Sequence, residues 1–250
     1  MSKLAIVSGK GGVGKTTLAL NLGYLLHNKF NRDTTIVDCN LTTPHLTINL
    51  GSYSGPVTLN HVLRGQAKLG EAIVEHPVGI KLVPASLDLK ELDGVDISAL
   101  ERVLKSYESN LILDSAPGLG REGVASIAAS DEILFLTQPY TSAVVDIFRT
   151  RKVAEVLNKK VLGVVVNSRR GMRHELTNNE IEKICEVPVV GEIPFDIEIE
   201  KSQASKLPLA LYNPAARANH AFYEVSSNIA GYPIQPPKTF LERLFERIGL

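Results

Sequence analysis

The sequence predicts an α/β protein: a doubly wound, mostly parallel sheet with helices on both faces. Three observations carry that prediction. Short apolar runs alternate with helical patterns along almost the whole chain, the order produced when parallel strands are joined by crossover helices. The runs are continuously apolar rather than alternating, as strands buried on both faces require. The 250 residues, 44% apolar and 22% charged, are enough for one large core of ordinary globular composition.

Taken in order, "KLAIVS" (3–8) reads as the first strand, and a helix over 15–29 follows a glycine-rich turn. Further strands are "TTIVD" (34–38), "IKLVP" (80–84), "LILD" (111–114), "EILFLT" (132–137), "VLGVVVN" (161–167) and "VPVVGEI" (187–193). Helical patterns occupy 98–107, 122–129, 141–157, 173–185 and 213–230. There is no internal repeat and no low-complexity tract. Residues 1–230 therefore read as one domain, 231–237 as a proline-rich linker, and 238–250 as an appendage.

Composition narrows the function. Lys+Arg and Asp+Glu are both 27, so no global field favours nucleic acid, although a local patch remains open. Cys39 and Cys185 form no CxxC and give no zinc or redox motif; Cys39 reads as a small buried filler. No run of eighteen apolar residues could span a membrane, and the N-terminus lacks a signal peptide's apolar stretch, so an intracellular protein is expected. His45, His61 and His76 have no metal-ligand spacing and read as surface or packing residues. Arg169, Arg170 and Arg173 form a small basic cluster that reads as a solvated loop.

The chemistry begins at "GKGGVGKTT", Gly9 to Thr17, between the first strand and the first helix. It satisfies G-x-x-x-x-G-K-[ST] in the strand–turn–helix context that this phosphate-binding motif needs. Gly11, Gly12, Val13 and Gly14 would turn backbone N–H groups around a β-phosphate, beside a helix N-terminus that favours anions. Lys15 would reach the β- and γ-oxygens, the Thr16 hydroxyl would hold Mg²⁺, and Thr17 completes the cradle. ATP and Mg²⁺ are the cofactors expected.

A second lysine, Lys10, follows the first glycine. K-G-G-x-G-K-T-T resembles the deviant Walker A motif of the MinD/ParA family of ATPases, and the chain looks like a MinD-type member. The resemblance covers residues 3 to about 231 and implies a P-loop NTPase fold of the SIMIBI type. It implies an ATP-dependent homodimer in which Lys10 crosses to the partner's phosphates. It places Asp38 at the family's switch I as a metal-site acid. There the usual second Asp is replaced by Asn40, whose amide can position water but cannot take a proton, so slow hydrolysis is expected. "LILDSAPGLG" resembles the Walker B and switch II segment, with Asp114 holding Mg²⁺ through water and Gly118 near the γ-phosphate. Asn167, at the end of a later strand, would read the adenine edge with one donor and one acceptor. Pro194, Phe195 and Asp196 match the loop that covers the base.

The appendage "KTFLERLFERIGL" (238–250) is strongly amphipathic. Phe240, Leu241, Leu244, Phe245 and Ile248 fall within an arc of about 140° at 100° per residue, opposite Glu242, Arg243, Glu246 and Arg247. Thirteen helical residues reach only about 20 Å against roughly 30 Å of hydrocarbon, so the segment cannot span. It packs on protein, or it lies in a membrane interface with those five side chains down. The resemblance to MinD's membrane-targeting helix implies the second, and with it a cytoplasmic protein peripheral to the inner face of the cell membrane.

The functional expectation is a MinD-like ATPase that positions an unknown protein partner or cargo, as in cell division. The alternatives are a nucleotide-gated scaffold with little hydrolysis and a ParA-like partition ATPase. DNA is disfavoured as a partner because non-specific binding rests on clustered Lys/Arg. An iron–sulfur carrier of the same fold is disfavoured by the missing CxxC.

Overall fold

In every central strand, consecutive side chains enter two different cores. Ala5 and Val7 lie in one while Leu4 and Ile6 lie in the other; Phe135 opposes Leu134 and Leu136, and Val164 and Val166 oppose Val165. Alternation across a pleat forces this when both faces are covered. The computed structural model describes residues 2–51 and 55–232.

In chain order the elements are β1 (Lys3–Val7), α1 (Lys15–Asn28), β2 (Thr34–Asp38), α2 (Leu46–Asn49), α3 (Leu59–Leu63), β3 (Val74–His76) and β4 (Ile80–Val83). Next come α4 (Leu100–Lys105), β5 (Asn110–Asp114), α5 (Arg121–Ala129), β6 (Glu132–Thr137), α6 (Thr141–Val156) and β7 (Lys160–Arg169). The chain continues with α7 (Asn178–Cys185), β8 (Val189–Pro194), α8 (Ile197–Ala204), α9 (Leu209–Tyr212) and α10 (Arg217–Ala230). The eight strands form one sheet in the order β3-β4-β2-β5-β1-β6-β7-β8. Every pairing is parallel except β3 with β4. One core contains Leu18, Leu22, Leu209 and Phe222 from α1, α9 and α10. The other contains Leu59, Leu100, Ile127, Ile147 and Ile181 from α3 to α7.

All seven expected strands form, with ends shifted by up to two residues, and the structure adds β3 on the edge. The helix expected over 173–185 begins only at Asn178, because Thr177 and Glu180 build a capping box there. The expected helix 98–107 is α4 preceded by a 3₁₀ turn, and 213–230 starts at Arg217. The short helices α2, α3, α8 and α9 were not foreseen. The linker expected at 231–237 falls almost wholly outside the described residues, as do 238–250 with Phe240, Leu241, Leu244, Phe245 and Ile248. Among the described residues no helix is long and apolar enough to cross a membrane.

The strand order reverses around β1, and the C-terminal ends of β1, β2, β5 and β7 converge on one edge of the sheet. Open α/β sheets bind ligands at such an edge.

Candidate functional site

Residues 8–14 carry the chain from β1 into α1. Gly12 and Gly14 have φ of +75° and +100°, a region that L side chains avoid. Gly9 is fixed by crowding, since a Cβ there would stand 2.1 Å from Asp146 Cβ on α6. Gly14 is the N-cap of α1; no side chain caps that end and its first turn contains no acid. The first-turn N–H groups and the positive end of the helix dipole are thus left for an anion.

Lys15 is buried inside this loop, its Nζ donating to Ser8 Oγ at 2.8 Å. Ser8 Oγ donates in turn to the Lys10 carbonyl at 2.7 Å. Burial lowers the Lys15 pKa and nearby Asp114 opposes that shift. A buried ammonium with one neutral hydrogen-bond partner has donors left for an anion. Lys10 is exposed and has no ion-pair partner among the described residues.

The parallel register sets Asp38 directly beside Asp114 at the ends of β2 and β5. Both are buried. Asp38 accepts from the backbone N–H groups of Asn40 and Leu46, each at 3.2 Å. Burial first, and Asp114 second, push its pKa well above the carboxylate range. Asp114 Oδ2 accepts from Thr16 Oγ1 at 2.6 Å, while Oδ1 is buried with no hydrogen-bond partner. Burial raises Asp114 to about 6 even though Thr16 and Lys15 pull it down. Two acids and a hydroxyl, all oxygen donors and one of them orphaned, fit Mg²⁺. A dication here would return both acids to their charged forms.

Beside the loop lies a cavity of about 230 Å³ lined by Gly14, Asn167, Phe195, Asp196, Gln203 and Phe222, among others. Asn167 Nδ2 donates to the Val13 carbonyl at 2.7 Å, and Oδ1 is buried without a partner. The amide expected to use a donor and an acceptor on the base thus has one donor hydrogen tied to the phosphate loop. Its acceptor remains for an exocyclic amine. A side chain at Gly14 would meet Asn167 Nδ2 at 2.5 Å.

Pro194 ends β8 opposite Arg169, and Phe195 N–H donates to the Arg169 carbonyl at 2.8 Å. The Phe195 ring lies 3.9 Å from the Arg170 guanidinium. Asp196 lines the cavity, but its carboxylate is committed to backbone. Oδ1 accepts from Glu198 N–H at 3.0 Å and Oδ2 from Ala218 N–H at 3.1 Å, capping α8 and α10 together. Of the arginine cluster, Arg170 and Arg173 are exposed as a solvated loop requires, and only Arg169 departs from that expectation. Arg169 pairs with Glu192 at 2.8 Å, donates to Asn178 Oδ1 at 2.6 Å and reaches the Leu176 carbonyl.

The two loops flanking the phosphate site are tied down. Asn40 Nδ2 donates to the Thr43 carbonyl at 2.7 Å, and Thr43 Oγ1 donates back to Asn40 Oδ1 at 3.1 Å. Thr42 Oγ1 donates to Glu122 Oε1 at 2.5 Å, joining this loop to α5. Gly118 N–H donates to the Ser8 carbonyl at 2.9 Å, bringing the loop after β5 against the phosphate loop. Cys39 is buried, and burial raises its thiol pKa, as suits a filler. Sequence reasoning missed Ser8, Thr42, Glu122 and Gln203. Only Gln203 left a trace, seven residues after Asp196 and so on one face of any helix that the aspartate caps.

The model of the CobQ/CobB/MinD/ParA nucleotide binding domain matches residues 4–209. An ATP-binding protein of Methanocaldococcus jannaschii is 33% identical over 91% of this chain and 87% of its own length. The septum site-determining protein MinD of Thermotoga maritima is 27% identical over 91% of the chain and 88% of its own. Among solved structures, the septum site-determining protein MinD of Pyrococcus horikoshii, complexed with Mg-ADP, superposes with a TM-score of 0.87. That pair is 27% identical and covers 91% of this chain and 95% of the other. The phosphate loop, the paired acids and the cavity beside them are therefore those of a member of the CobQ/CobB/MinD/ParA nucleotide-binding family, to which this chain belongs.

Proposed function

We propose that this chain is a MinD-like ATPase that binds ATP with Mg²⁺, dimerises on ATP, hydrolyses it slowly and attaches reversibly to a membrane surface to position a protein cargo. The observation that carries the reading is the phosphate loop, which holds one lysine buried inside it and presents another to solvent.

Loop N–H groups, the N-terminus of α1 and Lys15 bind and orient the β- and γ-phosphates. Thr16 and Asp114 hold the metal, with Asp38 behind them; Mg²⁺ supplies charge neutralisation of the phosphates when bound. Asn167 presents its free acceptor to the base. Lys10, on the outside of the loop, supplies charge to the phosphates of a second subunit, so dimerisation depends on the bound anion. Asn40 can orient water but cannot accept its proton, and its amide is closed on Thr43. One amide hydrogen and one lone pair stay available for water, so slow turnover is assigned to the missing proton acceptor. The closed amide also favours a second reading, a scaffold that binds ATP and dimerises with scarcely any hydrolysis. Balanced charge argues against DNA as the surface bound.

Steady-state ATP turnover separates the cases. The wild type turns over slowly, and Asn40→Asp gains about tenfold or more by restoring a proton acceptor. Fast wild-type hydrolysis, or no gain in the variant, overturns the assignment of Asn40. A wild type indistinguishable from Lys15→Ala leaves the scaffold.

A further inference from the structure

Another cavity, of about 680 Å³, lies between residues 62–71, which run from α3 toward β3, and residues 99–107, which contain α4. Its apolar lining includes Val62, Leu63, Leu69 and Ala99, all members of the core that α3 to α7 build on one face of the sheet. Leu18 and Phe222, which line the cavity beside the phosphate loop, belong to the core on the other face. The two cavities share no residue. Small-molecule sites occupy about 300–1,000 Å³, are mostly apolar and carry a few polar groups. This cavity meets all three conditions.

The charged groups of its lining are Lys68, Glu71 and Arg102. Lys68 and Arg102 are exposed, and neither has an ion-pair partner among the described residues. Glu71 Oε1 accepts from the Lys68 backbone N–H at 3.4 Å. Two cations against one acid leave the lining basic and suit an anion. The apolar part decides what that anion is attached to. Val62, Leu63, Leu69 and Ala99 keep only 3–5% of their surface, so a docked helix, about 10 Å across, would gain little area from them. A single hydrocarbon chain is slimmer and can enter the space between the two segments. Gly65 and Gly70 help to keep that space open, since a Cβ at either would meet nothing within 4 Å.

We infer that this cavity binds a long-chain anionic amphiphile, a single hydrocarbon chain with a carboxylate head. The chain lies between the two segments against Val62, Leu63, Leu69 and Ala99, and the head pairs with Lys68 and Arg102. The site is separate from the nucleotide site and does not depend on it.

Titration of the full chain with cis-parinaric acid, a long-chain carboxylate that fluoresces when taken out of water, tests this. The wild type binds it saturably. Ala67→Leu and Gly70→Leu add bulk to the lining and weaken binding about tenfold or more, the scale of overfilling a packed space. Lys68→Glu and Arg102→Glu change exposed side chains only and weaken it about fivefold or more. The uncharged methyl ester binds the wild type about fivefold more weakly than the acid, and Arg102→Glu brings the two to within about twofold of each other. Because that ratio is taken within one protein, loss of folded material does not imitate the effect. All four variants keep residues 238–250, so probe held by that amphipathic tail would remain in every one of them. No saturable binding by the wild type overturns the site. So does an affinity unchanged in both leucine variants, or equal affinity of the wild type for acid and ester.

Discussion

At the residue scale, the sharpest feature is a pair of acids buried side by side before any cation arrives. Asp114 titrates at about 6 rather than the ordinary 3.8, and Asp38 is shifted upward more strongly. A carboxyl with a raised folded-state pKa holds its proton in the folded chain after the unfolded chain has lost it. Through Asp114, stability of the nucleotide-free protein therefore falls as pH rises from about 4 to about 6, and Asp38, raised in the same direction, carries the fall to higher pH. The Asp114 shift alone corresponds to about 3 kcal/mol, part of which an amide would recover. Asp114→Asn should stabilise the nucleotide-free protein at pH 7.5 by on the order of 1 kcal/mol, read as a higher melting temperature, after the amide's own unmet hydrogen bonds are counted. The gain should vanish below about pH 4. Melting curves across that range check it, and a variant less stable than wild type at pH 7.5 contradicts the burial account. The motif residues were legible in the sequence because glycine, lysine and hydroxyl spacing encodes a phosphate cradle directly. The commitments of Asn40 to Thr43 and of Asp196 to two helix ends were not, because they depend on where loops close.

At the scale of elements, what the sequence conceals is physical as well. β3 is only three residues, "VEH", with a charge at its centre, too short for any periodicity to show. Helix α8, "IEIEKSQA", begins with apolar residues at every second position, which imitates a strand. It is helical because Asp196 caps its first turn. By contrast, the seven continuous apolar runs were visible because burial on both faces leaves no room for polar alternation. The double cap leads to a prediction. Asp196→Ala removes acceptors from Glu198 and Ala218 N–H at once and should cost about 2 kcal/mol of global stability. The urea midpoint should fall, and hydrogen exchange at those two amides should quicken more than at α1. Unchanged exchange at Ala218 would show that α10 does not depend on this carboxylate.

At the scale of the whole molecule, the proposed function turns on residues 238–250 and on the proposed ATP-gated dimer. The side chains of one tail sum to a single positive charge before the terminal carboxylate, so anionic lipid would attract it weakly and apolar insertion would supply most of its hold. Two tails brought together gain on the order of 10²–10⁴ in avidity without a new contact. Co-sedimentation with anionic liposomes should therefore retain the full chain with ATP and release it with ADP. A chain ending at Pro236 should stay in solution with either nucleotide. Equal retention in ATP and ADP, or retention of the shortened chain, refutes the gate.

Tyr232 stacks on Phe30 at a centroid distance of 5.5 Å, and Arg32 donates to the Ala230 carbonyl at 2.5 Å. Those contacts lie beyond the C-terminal end of α1, whereas the phosphate loop lies at its N-terminal end. Fourteen residues of helix separate the two by about 21 Å. The described chain thus ends near the C-terminal end of α1, about one helix length from the phosphate loop. In the proposed dimer the nucleotide would then act through how many feet stand on the surface at once, not by touching the point where the described chain ends.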